Sequence, residues 1–419
     1  MNKIHPTTFP RFSGRMVVWG CFVSALWSFP LYAQDRATAN ESVPSVPSVA
    51  GAPTPEAPPD NAADAKDQNV VQVATPPPAA ISSSLLTGWR AHGFVDTYYS
   101  FNFNRPASRR NQLRNFDVQS HELTLNIMEI VLEKPVTEHT RTGFRFDFNL
   151  GPATSLMHSA DPGRNEISKH IQQAYATFAL LPGRNLSVDA GIFVTPLGNE
   201  VIETADNRNY SRSLLFAYAI PYYHAGVRVQ YAASPSIGAS MYLVNGWNNM
   251  RDNNRGKTFA LQATIQPASP VKIIQTYMTG TEQTGQGSLR HVFNTILAAR
   301  ISPTVDFSID GVYGWERYQN GRVSWYGLAG YLTVAPSERW SFSPRLEWFE
   351  DRSGFTTGVS QRLMEFTLTQ DVRPHPHFLF RLEYRMDLST VPFFESVPSR
   401  PLARHQRTLL AGMVFTLGK

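Results

Sequence analysis

Arg381, Glu383, Arg385 and Asp387 alternate in sign at every second position. Arg345 with Glu347, and Arg145 with Asp147, repeat the arrangement. Side chains two apart on a β-strand share a face and lie ~7 Å apart, so each set makes a ladder of opposite charges. Such ladders brace a wetted wall, and a wall carrying both signs sets a transverse field that favours hydrated polar solutes. The wall set read from this alternation is Asp96, Arg145, Asp147, Asp189, Arg345, Glu347, Arg381, Glu383 and Arg385.

A second group could do different chemistry. The stretch "TPLGNEVIETADNRNYSRSLLFAYAIPYYH" runs from Thr195 to His224. Its apolar patch, Leu214 to Ile220, is flanked by Glu200, Arg212 and His224, and Arg228 follows on the same strand face as His224. A loop this long and this apolar packs against a wall. Folded inward, it would set Glu200, Arg212, His224 and Arg228 at a constriction; folded outward, it would be a lid or an oligomer contact. Ser211 and Ser213, with His224 and Glu200, also have the residue types of a nucleophile, base and orienting acid. No G-x-S-x-G motif accompanies them, and a satisfied wall histidine is the simpler reading. His375 and His377 in "RPHPH" lack the cluster of partners a metal needs. No catalytic residue, metal or cofactor is expected.

The bulk properties narrow the class. The net charge is +5, and removing Lys3, Arg11 and Arg15 of the first 33 residues leaves +2. No basic stripe follows a phosphate backbone, so no nucleic-acid partner is expected. Those three cations, the uncharged apolar stretch Met16 to Trp27 and "FPLYAQD" read as an export signal over residues 1–33. The single cysteine, Cys21, lies inside it, which leaves no thiol for a disulfide or a nucleophile. Residues 34–85 are rich in Pro, Ala and Ser, and read as a disordered periplasmic spacer.

From Trp89 onward the hydropathy has period two. In "RTGFRFDFNL" (141–150) the phenylalanines share one face and Arg145, Asp147 and Asn149 the other. Other apolar faces are Leu123, Leu125 and Ile127; Leu186, Val188, Ala190, Ile192 and Val194; and Leu409, Ala411, Met413, Phe415 and Leu417. No stretch after the signal has 18 apolar residues, so the chain has no membrane helix. Short links rich in Pro, Gly or Ser, such as 232–236 and 335–338, alternate with longer polar ones, such as 104–119, 151–168 and 195–222. This is the rhythm of an up-and-down antiparallel transmembrane β-barrel with short periplasmic turns and long outer loops, and the count is about sixteen strands over residues 86–419. A soluble sandwich would also alternate, but Trp340 and Trp348 share one strand face. At ~3.3 Å per residue and ~40° of tilt they stand roughly 20 Å apart in height, close to the spacing of two aromatic girdles. Pro344 falls between them on the same face, where it removes a ladder donor; a bulge there would explain it.

"GFVDTYYSFNFNRP" (93–106), "GIFVTPLGNEVIE" (191–203), "NYSRSLLFAYAIPYYHAGVRVQY" (209–231) and "VNGWNNMRDNNRGKTF" (244–259) resemble, in order, the outer-membrane β-barrel porin family described as OmpL-like. The resemblance implies a porin-type barrel in a Gram-negative outer membrane, without catalytic residues. The expected function is a water-filled channel for passive diffusion of small hydrophilic solutes or ions. The alternatives are a substrate-selective channel, a plugged barrel serving adhesion or as a scaffold, and, last, a barrel-borne hydrolase. Expected partners are outer-membrane lipid, the solutes and further copies of the chain in a homo-oligomer.

Overall fold

The computed structural model describes residues 88–418 apart from 138, 164, 182–184, 269, 286 and 320. The export signal (1–33) and the spacer (34–85) lie outside the described residues.

Sixteen strands follow one another: β1 (Arg90–Asn102), β2 (Leu123–Lys134), β3 (Thr142–Leu150), β4 (Ile171–Ala179), β5 (Leu186–Val194), β6 (Tyr223–Ser234), β7 (Ile237–Val244) and β8 (Thr258–Ala268). Then come β9 (Val271–Thr281), β10 (Leu289–Ser302), β11 (Val305–Tyr318), β12 (Gly321–Ser337), β13 (Trp340–Asp351), β14 (Gln361–His375), β15 (Phe378–Ser389) and β16 (His405–Leu417). Each strand pairs with its chain neighbours, and β1 pairs antiparallel with β16. The sheet is therefore a closed all-β barrel with no free edge, the form a membrane-spanning sheet must take to satisfy its backbone groups. Among the described residues no helix is long and apolar enough to cross a membrane.

The links alternate. At one end they run from two to seven residues. At the other they cover 103–122, 151–170, 195–222, 245–257, 282–288, 319–320, 352–360 and 390–404. The long-loop end is the extracellular one in this architecture. Phe144, Leu123, Leu125, Leu409, Met413 and Phe415 are exposed on the outside, while Asp96, Asp147, Arg345, Arg381 and Arg385 are buried on the inside.

Two strand expectations are corrected. Ile127 does not share the outer face of Leu123 and Leu125. The register of β1 on β2 shifts between Asp96 and Thr97, pairing Asp96 with Ile127 and Thr97 with Leu125. The extra residue in β2 turns Ile127 inward, where it is fully buried. Pro344 makes no bulge. Its pairing with β14 is regular, and on the β12 side Tyr331↔Arg345 and Val334↔Phe342 keep one register across it. The ladder simply lapses at Leu332 and Thr333, where Pro344 offers no N–H. A bond of 3.0 Å between the Thr333 and Ser343 hydroxyls spans the gap.

Candidate functional site

The charged ladder of β13–β15 does not look onto open water. It holds backbone. Residues 195–222, between β5 and β6, run inside the barrel, and the inward charges of the wall bind their peptide groups. Glu383 accepts the N–H of Tyr210 at 2.6 Å and of Ser211 at 3.0 Å. Glu347 accepts those of Leu214 and Leu215, both at 2.6 Å, at the start of a short π-helical turn over Leu215–Ala219. Arg381 donates to the carbonyls of Thr204 (2.6 Å), Asn209 (3.2 Å) and Asn207. Arg385 donates to the Arg212 carbonyl at 2.6 Å, and Arg345 to the Ser211 carbonyl at 2.7 Å. An irregular loop leaves its N–H and C=O groups without ladder partners, and buried peptide groups must be bonded. Alternating Arg and Glu on a strand supply donors and acceptors in turn, each charge-assisted and stronger than a neutral bond.

The wall charges are themselves balanced. Arg345 pairs with Glu365 (3.0 Å), Arg381 with Asp371 (2.9 Å) and Arg385 with Asp387 (2.9 Å). Asp96 on β1 accepts from the Tyr210 hydroxyl at 2.7 Å and the Thr204 hydroxyl at 2.6 Å. Burial, then the nearby Asp96 carboxylate, pushes the Tyr210 hydroxyl well above its ordinary range, so it stays a donor. On the opposite flank, Asp310 accepts the Asn199 N–H and Asn294 the Gly198 N–H, at 3.0 and 2.9 Å.

Packing completes the seat. The Tyr210 ring lies against Gly412 of β16, where any Cβ would come within 2.5 Å of it. Leu214, Leu215, Phe216, Ala219 and Ile220 are buried in one cluster with Phe193, Trp325 and Phe349 of the wall. Trp325 Nε1 donates to the Ala219 carbonyl at 3.0 Å.

The four expected constriction residues are placed as follows. Glu200 is buried; it accepts from Arg345 at 2.7 Å and from the Ser213 N–H at 2.7 Å. Arg212 is buried and closes the loop on itself, donating to the carbonyls of Val201 (3.0 Å), Ile202 and Tyr210. Its guanidinium stacks 4.4 Å from the centre of the Phe116 ring. His224 is buried between the Gly246 carbonyl (2.9 Å) and the Thr195 hydroxyl (3.1 Å), and bonds neither Ser211 nor Ser213. Arg228 is 13 % exposed, pairs with Asp189 at 2.5 Å and lies over Tyr175 and Phe193.

The flank of β2–β6 carries accessible charges. Arg145 is 26 % and Glu133 22 % exposed, with Arg145 bonded to Asp147 at 2.9 Å. Glu129, Asp147 and Glu203 bring carboxylate oxygens within 4.8 Å of one another. Arg145 and the amides of Gln172 and Gln173 donate to Asp147 and Glu203, so this acidic cluster is served by protein donors.

Sequence reasoning missed a second inserted loop. In 103–122, Arg114 bonds Asp117 at 3.1 Å and Asp387 of β15 at 2.6 Å, and Asn115 donates to the Ala217 carbonyl at 3.0 Å. The one available signal was Phe116, an aromatic residue in a polar link.

No curated protein sequence matches this chain. Among solved structures, it is similar in fold to OmpT of Vibrio cholerae (TM-score 0.52, 9 % identity, covering 78 % of this chain and 97 % of that one). It is likewise similar to the outer membrane channel DcaP of Acinetobacter baumannii (0.51, 11 %, 78 % and 97 %) and to an anion-selective porin from Comamonas acidovorans (0.53, 7 %, 78 % and 99 %). A family model described as "Putative beta-barrel porin-2, OmpL-like" matches residues 88–417. With that match over nearly the whole barrel, the chain belongs to the OmpL-like family of outer-membrane β-barrel porins.

Proposed function

We propose that this chain forms a water-filled channel for passive diffusion of small hydrophilic solutes, narrowed by residues 195–222. One observation carries the reading. The loop is bonded along β10, β11, β13–β15 and β1 and touches β4 through Glu203 and Gln172, whereas the β2–β6 flank also keeps partly exposed charges: Glu133, Arg145 and Arg228. A sixteen-stranded barrel is wide enough for water beside such a loop. In this reading Arg145 and Arg228 face the passage, and Glu200, Arg212 and His224 act by fixing where the loop lies. OmpT of Vibrio cholerae has a structure titled as a trimer form, and self-association through lipid-facing strands is part of the proposal.

A second reading rests on the apolar cluster. Trp247 and Phe355 of the outer loops pack with Trp325, against a loop whose own apolar residues are buried. That packing favours a barrel closed at its outer end and used as a scaffold. Swelling of liposomes holding the folded protein separates the two. Swelling in small sugars that slows as the sugar grows supports the channel; no swelling supports the closed barrel.

A further inference from the structure

The lipid-facing side carries a row of arginines at the extracellular end of β11–β14. Arg317 and Arg322 stand directly opposite each other across β11 and β12, and both are exposed. Opposed side chains on one face have Cβ atoms roughly 5 Å apart, where like charges repel. Two exposed arginines paired in this way, with no ion pair to an acid among the described residues, make a site for an anion. Arg322 is also fixed from below. It lies 5.3 Å from the centre of the Trp315 ring and donates to the Tyr313 hydroxyl at 3.3 Å.

The row continues. Arg352 is 64 % exposed and stands 5.8 Å from the centre of the Tyr326 ring. Arg362 is 50 % exposed, and both bind one carboxylate, Glu350, at 3.4 and 2.6 Å. Among the described residues, Glu350 is the one acid paired within the row, and it serves Arg352 and Arg362. Beneath them runs a band of touching rings, from Tyr277 and His291 through Trp315 and Tyr313 to Tyr326 and Trp348. Such a band marks the level where acyl chains give way to headgroups. The link that joins the strands of Arg317 and Arg322 has only two residues, 319–320.

We propose that Arg317, Arg322, Arg352 and Arg362 dock the phosphate groups of a lipid headgroup in the outer leaflet. Guanidinium forks match phosphate oxygens in pairs, and their height puts them level with headgroups rather than with free solute. A second copy of the chain meeting this face about a two-fold axis would oppose arginine with arginine.

The test uses the full chain, folded in zwitterionic detergent micelles and read by native mass spectrometry. The probes are a bis-phosphorylated glucosamine lipid (lipid A), the same lipid dephosphorylated, and inorganic phosphate. We expect preferential retention of the phosphorylated lipid, and its loss by about thirtyfold in the Arg317→Gln, Arg322→Gln double variant. An Arg141→Gln, Arg339→Gln double variant, altered at the opposite end, should retain it. Heat-modifiable electrophoretic mobility confirms that each variant is a folded barrel. Equal retention of both lipids, equal loss in the two variants, full competition by inorganic phosphate, or arginine-dependent self-association without lipid would each overturn the proposal.

Discussion

Glu383 and Tyr210 lie 173 positions apart in the chain, yet the carboxylate of one accepts the backbone N–H of the other at 2.6 Å. The same carboxylate takes the N–H of Ser211, so one wall side chain satisfies two consecutive peptide groups of the inserted loop. Glu347 repeats the device four residues further along the loop.

Glu347→Ala and Glu383→Ala each leave two buried N–H groups without acceptors. Each orphan costs ~1–3 kcal/mol, enough to loosen the loop while the barrel ladder stays intact. We expect a larger and noisier single-channel conductance in both variants, with unchanged heat-modifiable mobility. Currents identical to wild type would show that the loop does not set the aperture.

Gly412→Val tests the seat from the other side. A side chain there must displace the Tyr210 ring, at a cost of ~1–3 kcal/mol. Tyr210 would then lose its hold on Asp96. Protease nicking within 195–222 should rise in this variant; equal protection would place the anchoring elsewhere.

Arg212→Lys keeps the charge and loses the fork. An ammonium cannot reach three carbonyls in one plane. Conductance and protease sensitivity should move as in the glutamate variants, though less. Full retention of wild-type behaviour would assign the folding of the loop to its wall contacts alone.

Arg228→Gln removes the cation paired with Asp189, which keeps the Thr177 hydroxyl at 2.6 Å. If Arg228 borders the passage, removing its charge favours cations there. The reversal potential in a salt gradient should shift toward cation preference, and an unmoved potential would take Arg228 off the solute path.

The fold was legible because a membrane barrel writes its two faces into alternate residues. "RTGFRFDFNL" already separates lipid from interior, and the rhythm of short and long links orders the strands. Ile127 escaped because one extra residue in β2 flips every position on one side of it, and nothing in "LTLNIMEI" marks the bulge. The inward charges followed from alternation along the strands, but their partners were not readable. Arg381 and Asn207 are brought together by barrel closure, not by spacing. Arg212 looked like a free cation because its ligands are main-chain carbonyls, which every residue has. Gly412 carried no signal at all, since its meaning is the ring of Tyr210.

Single-channel recording in a planar lipid bilayer, with wild-type protein beside Glu383→Ala, tests the central claim most directly. Stable steps in wild type that grow in the variant are expected from a channel narrowed by a loop bound to its wall. Folded protein that passes no current in either form would contradict it and leave a closed barrel.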